Sequence, residues 1–285
     1  MNPVVVQIAN GNAFFIGVGM TVVALALYIW AKNRRAIFLI NIGWLLGVGL
    51  VVISAAPISY WLYGVWFAAC IATRVASSGR TSAKAKVLVT NVFAVFSLII
   101  CLAEWPFHFT NPITISSGQT VYVVGDSISA GIEKKEKTWP NVLADLSGLK
   151  VINLARAGST VDTAMDQAVR VSSTNALVIV EIGGNDFLGD TSSHVFYIQL
   201  DKLLAKLKSE NAQIVMFELP LLPFWNNFGR DQRELAKKYG VTLIPKKYLV
   251  SVFAGNGNTV DGLHLSQKGH DDLAAKVYGL MKVGL

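Results

Sequence analysis

Long uncharged apolar runs dominate the first third of the chain. They cover residues 13–31, 36–73 and 87–103, and short clusters of Lys and Arg separate them. A helix needs about 20 apolar residues to cross the hydrocarbon core of a bilayer, so the second run is long enough for two helices, with Pro57 as the natural break between them. The pattern predicts an all-α transmembrane domain over residues 1–106 with four spans, near 13–31, 36–55, 58–73 and 87–105.

Beyond a predicted tether at 107–120, the pattern changes to that of an α/β domain over 121–285. Apolar runs of strand length occur at 121–124, 151–154, 177–182, 214–219 and 241–244. Helical periodicity lies between and after them, at 139–146, 160–171, 195–207, 230–239 and 267–281. Continuous apolar strands alternating with amphipathic helices are typical of a parallel sheet covered on both faces, so we predict a three-layer α/β fold with a central parallel sheet.

The distribution of charge separates the same two parts and predicts a topology. Of the net charge of +7, most comes from the first 110 residues, which hold seven Lys and Arg against one acid, Glu104. Because these basic residues flank apolar runs, we assign them to membrane topology and predict no nucleic-acid partner. Cytoplasmic loops carry the excess of Lys and Arg, so loops 32–35 and 74–86 are predicted to face the cytoplasm. The N-terminus and the α/β domain are then predicted to lie outside it, on a bacterial-type inner membrane.

Four segments bring candidate catalytic groups to the predicted carboxyl ends of the strands, where parallel sheets bind their ligands. These segments are Gly125-Asp126-Ser127, Gly158, Gly183-Gly184-Asn185-Asp186 and Asp261-Gly-Leu-His264. A serine hydroxyl becomes a nucleophile when a base takes its proton, and an imidazole suits that role because it titrates near neutrality. Ser127, His264 and Asp261 are therefore a candidate triad, in which Asp261 orients the imidazole. The main-chain N–H groups of Ser127 and Gly158 and the Asn185 side chain are candidate oxyanion donors.

Each segment also has an ordinary structural interpretation. Gly-Asp-Ser and Gly-Gly-Asn-Asp are common turn sequences, and Asp-x-x-His before Ser266 is compatible with a helix cap. The chain contains no Gly-x-Ser-x-Gly sequence, which argues against the α/β-hydrolase fold. The functional interpretation depends on the conjunction of the four segments, in order, at strand ends.

This conjunction resembles the motif blocks of the SGNH (GDSL) hydrolase family, and most closely its bacterial periplasmic thioesterase/lysophospholipase type, over about residues 121–281. The resemblance implies Ser127 as nucleophile, His264 as base and Asp261 as its orienting group. It also implies an oxyanion hole formed by Ser127, Gly158 and Asn185. Two features depart from the family pattern. Leu265 replaces the proline that commonly follows the histidine, and the four-span domain has no counterpart in the secreted enzyme, which leaves the substrate open.

We predict no cofactor and no metal, because no His, Asp or Glu cluster has the spacing of metal ligands. The two cysteines, Cys70 and Cys101, both lie within apolar runs, and His270 is predicted to be solvated. An unusually apolar loop follows the fourth predicted strand. Its side chains either pack in the core or form the wall of an acyl-chain pocket or a lip against the membrane; the candidate substrate-binding residues are Leu221, Leu222, Phe224 and Trp225.

The leading hypothesis is a membrane-anchored, extracytoplasmic serine esterase that hydrolyses acyl esters of lysophospholipids or other acylated lipids. The alternative within enzymes is an O-acetyl esterase or O-acyltransferase acting on an envelope or exported polysaccharide. A third hypothesis is a non-catalytic subunit of an envelope assembly. The expected partners are the lipid bilayer, the acyl-ester substrate and a membrane protein bound through the spans.

Overall fold

The computed structural model describes residues 2–79, 81–133, 135–172 and 175–283. By their contacts the residues divide into two compact units. The helical unit comprises residues 7–106 and 222–226, and the α/β unit comprises residues 1–6, 107–221 and 227–285.

The helical unit contains four long helices that follow a short first helix, α1 (Pro3–Ala9). The long helices are α2 (Asn12–Trp30), α3 (Arg34–Ile53), α4 (Tyr60–Ser78) and α5 (Ala83–Glu104). Among the described residues, three segments are long and apolar enough to cross a membrane: α2, α3, and α5 with the 3-10 turn that follows it. The third predicted span, 58–73, corresponds to α4, which does not reach that hydropathy because it includes Arg74 and several small polar residues. The count of four spans stays a prediction.

Glycines allow α2 and α3 to pack closely. A Cβ added to Gly17 would lie 2.6 Å from the Gly47 carbonyl oxygen, and one added to Gly47 would lie 2.8 Å from the Gly17 carbonyl oxygen. Away from such contacts, the bundle exposes many large apolar side chains, as a surface suited to lipid does; examples are Trp30, Leu39, Leu45, Trp61, Leu98 and Leu102.

The α/β unit contains a five-stranded sheet whose strands are all parallel. Its strands are β2 (Thr120–Gly125), β3 (Val151–Asn153), β4 (Ala176–Glu181), β5 (Gln213–Phe217) and β6 (Thr242–Ile244), in the spatial order β3-β2-β4-β5-β6. The helices are α6 (Ser127–Ala130), α7 (Trp139–Ser147), α8 (Met165–Ala168), α9 (Gly184–Leu188), α10 (Ser193–Ser209), α11 (Asn226–Tyr239), α12 (Lys247–Ala254) and α13 (Gln267–Leu280). The predicted central parallel sheet is confirmed.

Both faces of the sheet are covered. Alternate side chains of β2, β4 and β5, such as Val123, Ile179 and Phe217, form one core cluster with residues of α7, α12 and α13. The intervening strand residues, such as Val124 and Val180, whose side chains point to the opposite face of the sheet, are equally buried. The helix α10 contacts β5. Burial on both faces explains why these strands are continuous apolar runs without alternation.

Two regions differ from the predicted elements. Within residues 107–120, predicted to be a tether, Ile113–Ile115 forms β1, which pairs with β7 (Met281–Val283) in a two-stranded parallel sheet. Ile113 and Ile115 are buried in the core, so this part of the segment is ordered structure. The helix predicted at 160–171 shortens to α8. Before it, the Thr160 N–H donates to the Thr163 Oγ1 at 2.9 Å, a local bond between side chain and main chain that competes with regular helix.

Candidate active site

The turn after β2 presents Ser127 at the first position of α6. Asp126 caps this helix, because its Oδ1 accepts the Ile128 N–H at 3.0 Å. Gly125 must be glycine, since an added Cβ would lie 2.8 Å from both the Glu181 carbonyl oxygen and the Ser129 Oγ. This close approach packs the Ser127 turn against the end of β4.

Gln167 on α8 connects the Ser127 turn to the segment that contains Gly158. Its Oε1 accepts the Gly125 N–H at 2.9 Å, and its Nε2 donates to the Gly125 carbonyl oxygen and to the Ser159 Oγ, both at 3.0 Å. The side chain is fully buried. One carboxamide therefore fixes the residues that immediately follow Gly158 relative to the strand that leads to Ser127.

The Asn185 segment meets the same two segments. The Asn185 Nδ2 donates to the Ser159 carbonyl oxygen at 2.9 Å, and the Asp186 Oδ2 accepts the Val161 N–H at 3.0 Å. A Cβ added to Gly184 would lie 3.3 Å from Asp126 Oδ2, so this segment also borders the residue before Ser127. The structure thus brings together the Ser127, Gly158 and Asn185 segments. Gly158 itself has φ +77°, a backbone conformation that favours glycine.

Asp261 and His264 form a hydrogen-bonded pair in the loop before α13. The His264 Nδ1 lies 2.7 Å from Asp261 Oδ2, and the main-chain N–H of His264 donates to Asp261 Oδ1 at 2.7 Å. The bond from the imidazole, followed by the main-chain bonds, lowers the pKa of Asp261 well below its usual range. Because an ionised carboxylate only accepts, the proton is on Nδ1, and Nε2 carries the lone pair that a general base needs.

Buried carboxyl groups lie beside the Ser127 turn. Burial raises the pKa of Asp126 to about 6. Burial also raises the pKa of Glu181 well above its usual range, and that of Asp186. The Ser127 turn therefore lies beside carboxyl groups in a low-dielectric environment.

The predicted substrate-binding residues have different environments. Leu221 is fully buried in the α/β unit, whereas Leu222, Phe224 and Trp225 are exposed and group by contacts with the helical unit. Within that unit the Tyr60 hydroxyl donates to the Phe224 carbonyl oxygen at 3.3 Å. The core interpretation therefore applies to Leu221 alone, and the other three remain candidates for contact with an acyl chain or a membrane.

The prediction that His270 is solvated is wrong. Its side chain is fully buried, its Nδ1 accepts the Trp139 N–H at 3.2 Å, and its Nε2 lies 3.7 Å from a Glu136 carboxyl oxygen. The helical pattern of α13 did not reveal this burial, because α7 packs on the face that carries His270. Among the described residues, no group of three or more His, Cys, Asp or Glu is placed to hold a metal ion.

Two further residues of the site were missed in the sequence. Gln167 gives no sequence signal, because its role depends on partners 42 and 8 residues away. Glu181 did give a signal, since it is the single charged residue in the apolar run 177–182. A charge in a strand buried on both faces needs a specific partner, which makes such a position a candidate functional residue.

Comparison with known proteins places this geometry in a family. Residues 123–271 match the GDSL-like lipase/acylhydrolase family, over more than half of the chain. The chain is 30% identical over 127 residues to an arylesterase of Vibrio mimicus, covering 42% of this chain and 62% of that protein. It is 29% identical over 155 residues to the thioesterase 1/protease 1/lysophospholipase L1 of Escherichia coli K12, covering 49% of this chain and 73% of that protein.

A solved structure supports the same assignment. The crystal structure of TesA is similar with a TM-score of 0.50 and 26% identity, over 57% of this chain and 97% of that one. The family, its esterase and thioesterase relatives and the fold are consistent with the predicted class, a serine ester hydrolase. The chain belongs to the GDSL-like lipase/acylhydrolase family of SGNH hydrolases.

Proposed function

We propose that the protein is a membrane-anchored serine esterase that acts outside the cytoplasm on acyl esters, with lysophospholipids or other acylated lipids as its substrate class. The observation that carries the proposal is the 2.7 Å contact of His264 Nδ1 with Asp261 Oδ2, which leaves the lone pair of the imidazole on Nε2. The meeting of the Ser127, Gly158 and Asn185 segments at the ends of β2 and β4 supports it.

In the proposed reaction, Ser127 Oγ attacks the carbonyl carbon while His264 Nε2 takes the hydroxyl proton, and Asp261 stabilises the resulting imidazolium. The N–H groups of Ser127 and Gly158 and the Asn185 carboxamide donate to the oxyanion. The tetrahedral intermediate collapses, its bond to the leaving oxygen or sulfur breaks, and His264 gives that atom the proton. Water then attacks the acyl carbon while His264 takes its proton. The second tetrahedral intermediate collapses, its bond to Ser127 Oγ breaks, His264 returns the proton to Oγ, and the fatty acid is released.

Two observations favour lipid over glycan as the acylated partner. One relative carries the name thioesterase 1/protease 1/lysophospholipase L1, and a lysophospholipase hydrolyses the acyl ester of a lipid. This chain adds to the family's domain a bundle with an exposed apolar surface, including Trp30 and Trp61, and three segments of spanning length. An enzyme held at a bilayer surface meets lipid esters at high local concentration.

The proposed topology rests on the position of the basic residues within the helical unit. The Arg74 Nη2 donates to Asn41 Oδ1 at 2.8 Å, and its guanidinium lies 3.9 Å from the centre of the Tyr28 ring. Tyr28 and Arg74 are near the carboxyl ends of α2 and α4, and Asn41 is in the amino-terminal half of α3. Both basic clusters therefore belong to one end of the bundle, which the excess of Lys and Arg assigns to the cytoplasm.

The catalytic proposal is tested with the full chain in detergent and a fluorophosphonate probe. Ser127→Ala should abolish both labelling and turnover of acyl esters graded from acetyl to long-chain, whereas the matched control Ser251→Ala, at an exposed position of α12, should change neither. Labelling that persists in Ser127→Ala would refute the nucleophile. Turnover that requires a sugar acceptor would favour the acyltransferase, and a folded wild type with neither labelling nor turnover would favour a non-catalytic subunit.

The topology is tested by single cysteines in a background without Cys70 and Cys101. A cysteine at Ser117 should react with an impermeant thiol reagent in intact cells, or in spheroplasts where an outer membrane is present. A cysteine at Ser78 should react only after the membrane is permeabilised. The opposite pattern would place the α/β unit in the cytoplasm and refute an extracytoplasmic substrate.

A further inference from the structure

Two buried carboxyl groups lie side by side next to the nucleophile, and the reaction described above uses neither of them. Asp126 immediately precedes Ser127, and Glu181 ends β4, where it is paired in register with Gly125. The Asp126 N–H donates to the Glu181 carbonyl oxygen at 3.2 Å, and the two side chains are hydrogen-bonded to each other. Both side chains are buried.

The hydrogen bonds around this pair identify where a proton must lie. Two ionised carboxylates cannot hydrogen-bond, because each only accepts, so one of the two groups is protonated. The Trp139 indole only donates, and it donates to Ser129 Oγ at 3.1 Å. The Ser129 hydroxyl in turn donates to Glu181 Oε2 at 2.8 Å. With Oε2 occupied as an acceptor, the proton of a neutral Glu181 belongs on Oε1, from which it bonds to Asp126.

The surrounding charges favour this arrangement over the reverse. The titratable groups that act electrostatically on Asp126 are Glu181 on β4, Asp186 on α9 and His264 in the loop before α13. Burial raises the pKa of both carboxyls of the pair, to about 6 for Asp126 and well above the usual range for Glu181. The Ile128 N–H stabilises ionised Asp126, whereas the Asp126 charge opposes ionisation of Glu181. At neutral pH Asp126 is the carboxylate and Glu181 the acid.

This arrangement adds a role to the esterase function proposed above, on which it rests. We propose that Glu181 is a positioning residue: its proton holds the Ser127 turn to the strand that leads to Asn185, and it keeps on Asp126 a carboxylate that stabilises the positive charge His264 gains on taking the Ser127 proton. When Glu181 ionises, the negative charges of Asp126 and Glu181 repel each other, the Ser127 turn separates from the end of β4, and activity falls.

The experiment compares Glu181→Gln with Glu181→Leu in the full chain. Glutamine keeps an N–H for Asp126 and an oxygen for Ser129 at every pH, whereas leucine removes both. We expect Glu181→Gln to retain most of kcat, and Glu181→Leu to lose about 10²-fold in kcat with little change in KM, because the reacting groups are misplaced while the binding surface remains.

The pH profile separates positioning from general stability. The kcat of the wild type should fall at alkaline pH as Glu181 loses its proton, and this alkaline decrease should be absent in Glu181→Gln. The matched control is Asp186→Asn, which alters the other carboxyl that faces Asp126 and should preserve the alkaline decrease. An unchanged alkaline decrease in Glu181→Gln, or a normal kcat in Glu181→Leu, would overturn the proposal.

Infrared spectroscopy provides a readout that does not depend on activity. The wild type at neutral pH should show the carbonyl band of a protonated carboxyl group that Glu181→Gln lacks and Asp186→Asn retains. Identical bands in the wild type and Glu181→Gln would refute the shared proton. Absence of Ser127-dependent turnover in the wild type would instead refute the esterase function, and the positioning role with it, while the infrared difference would still decide the protonation of Glu181.

Discussion

Replacement of Gln167 by leucine tests whether the site depends on a residue that no motif identifies. The buried carboxamide makes three hydrogen bonds, two to the main chain of Gly125 and one to Ser159 Oγ. Leucine has a similar volume, so Gln167→Leu removes the hydrogen bonds without opening a large cavity. In the variant the Gly125 carbonyl oxygen still accepts the Arg156 N–H at 3.2 Å. The Gly125 N–H, however, loses the Gln167 oxygen to which it donates in the wild type.

The expected magnitude follows from this hydrogen-bond inventory. A buried N–H without a partner costs about 1–3 kcal/mol, and each further lost hydrogen bond about 0.5–1.5 kcal/mol. We therefore expect the free energy of unfolding of the α/β unit to fall by about 3 kcal/mol, and Tm by roughly 6–12 °C for a unit of this size. Because Gly125 and Ser159 border Ser127 and Gly158, kcat should also fall by about 10²-fold through misplacement of the reacting groups.

The chain offers a matched control in Gln232. Its fully buried side chain accepts the Leu219 N–H at 2.9 Å and donates to the Phe217 carbonyl oxygen at 3.0 Å, the same type of bridge at the end of β5. Gln232→Leu should lose comparable stability and retain kcat at a temperature where both variants are folded. Thermal unfolding by circular dichroism and initial rates with a short-chain ester measure the two effects. Equal losses of Tm with a normal kcat in Gln167→Leu would refute the role of Gln167 in the site.

Three further outcomes are expected. Asn185→Ala should lower kcat by about 10²–10³-fold in a folded protein if Asn185 donates to the oxyanion, and a near-normal rate would leave it as a turn residue. Burial raises the pKa of Asp231 to about 7 from 3.8, so the contribution of this carboxyl group to folding is fully present below pH 3.8 and is lost as pH rises through 7. Asp231→Asn should therefore raise Tm at pH 8 and leave Tm unchanged at pH 3. A variant with a lower Tm than the wild type at pH 8 would contradict this sign. If exposed Phe224 and Trp225 contact acyl chains, replacing both by serine should lower kcat/KM increasingly with chain length, by up to about 0.8 kcal/mol per buried CH₂, whereas an unchanged chain-length preference would exclude the loop from the acyl site.

The sequence alone determined the parts of this protein that depend on local patterns. Apolar runs without charge marked α2, α3 and α5, and continuous apolar segments marked β2, β4 and β5. A helix suited to span a membrane and a strand buried on both faces both require such runs wherever the element lies. The sequence also identified the candidate triad. Its residues lie in two short motifs, Gly125-Asp126-Ser127 and Asp261-Gly-Leu-His264, and the predicted strand ends indicated where these motifs would meet.

Only the tertiary structure decided what depends on partners distant in sequence. Gln167 lies 42 residues from Gly125 in the chain, and Glu181 lies 52 residues from Ser129, yet hydrogen bonds join both pairs in the core. It also decided that Leu221 is buried while Phe224 is exposed, and that Ile113–Ile115 is a strand paired with residues near the other end of the chain. The physical reason is that a buried polar group is stabilised by whichever donor or acceptor the fold brings within about 3 Å. The residues adjacent in sequence do not predict which partner that is.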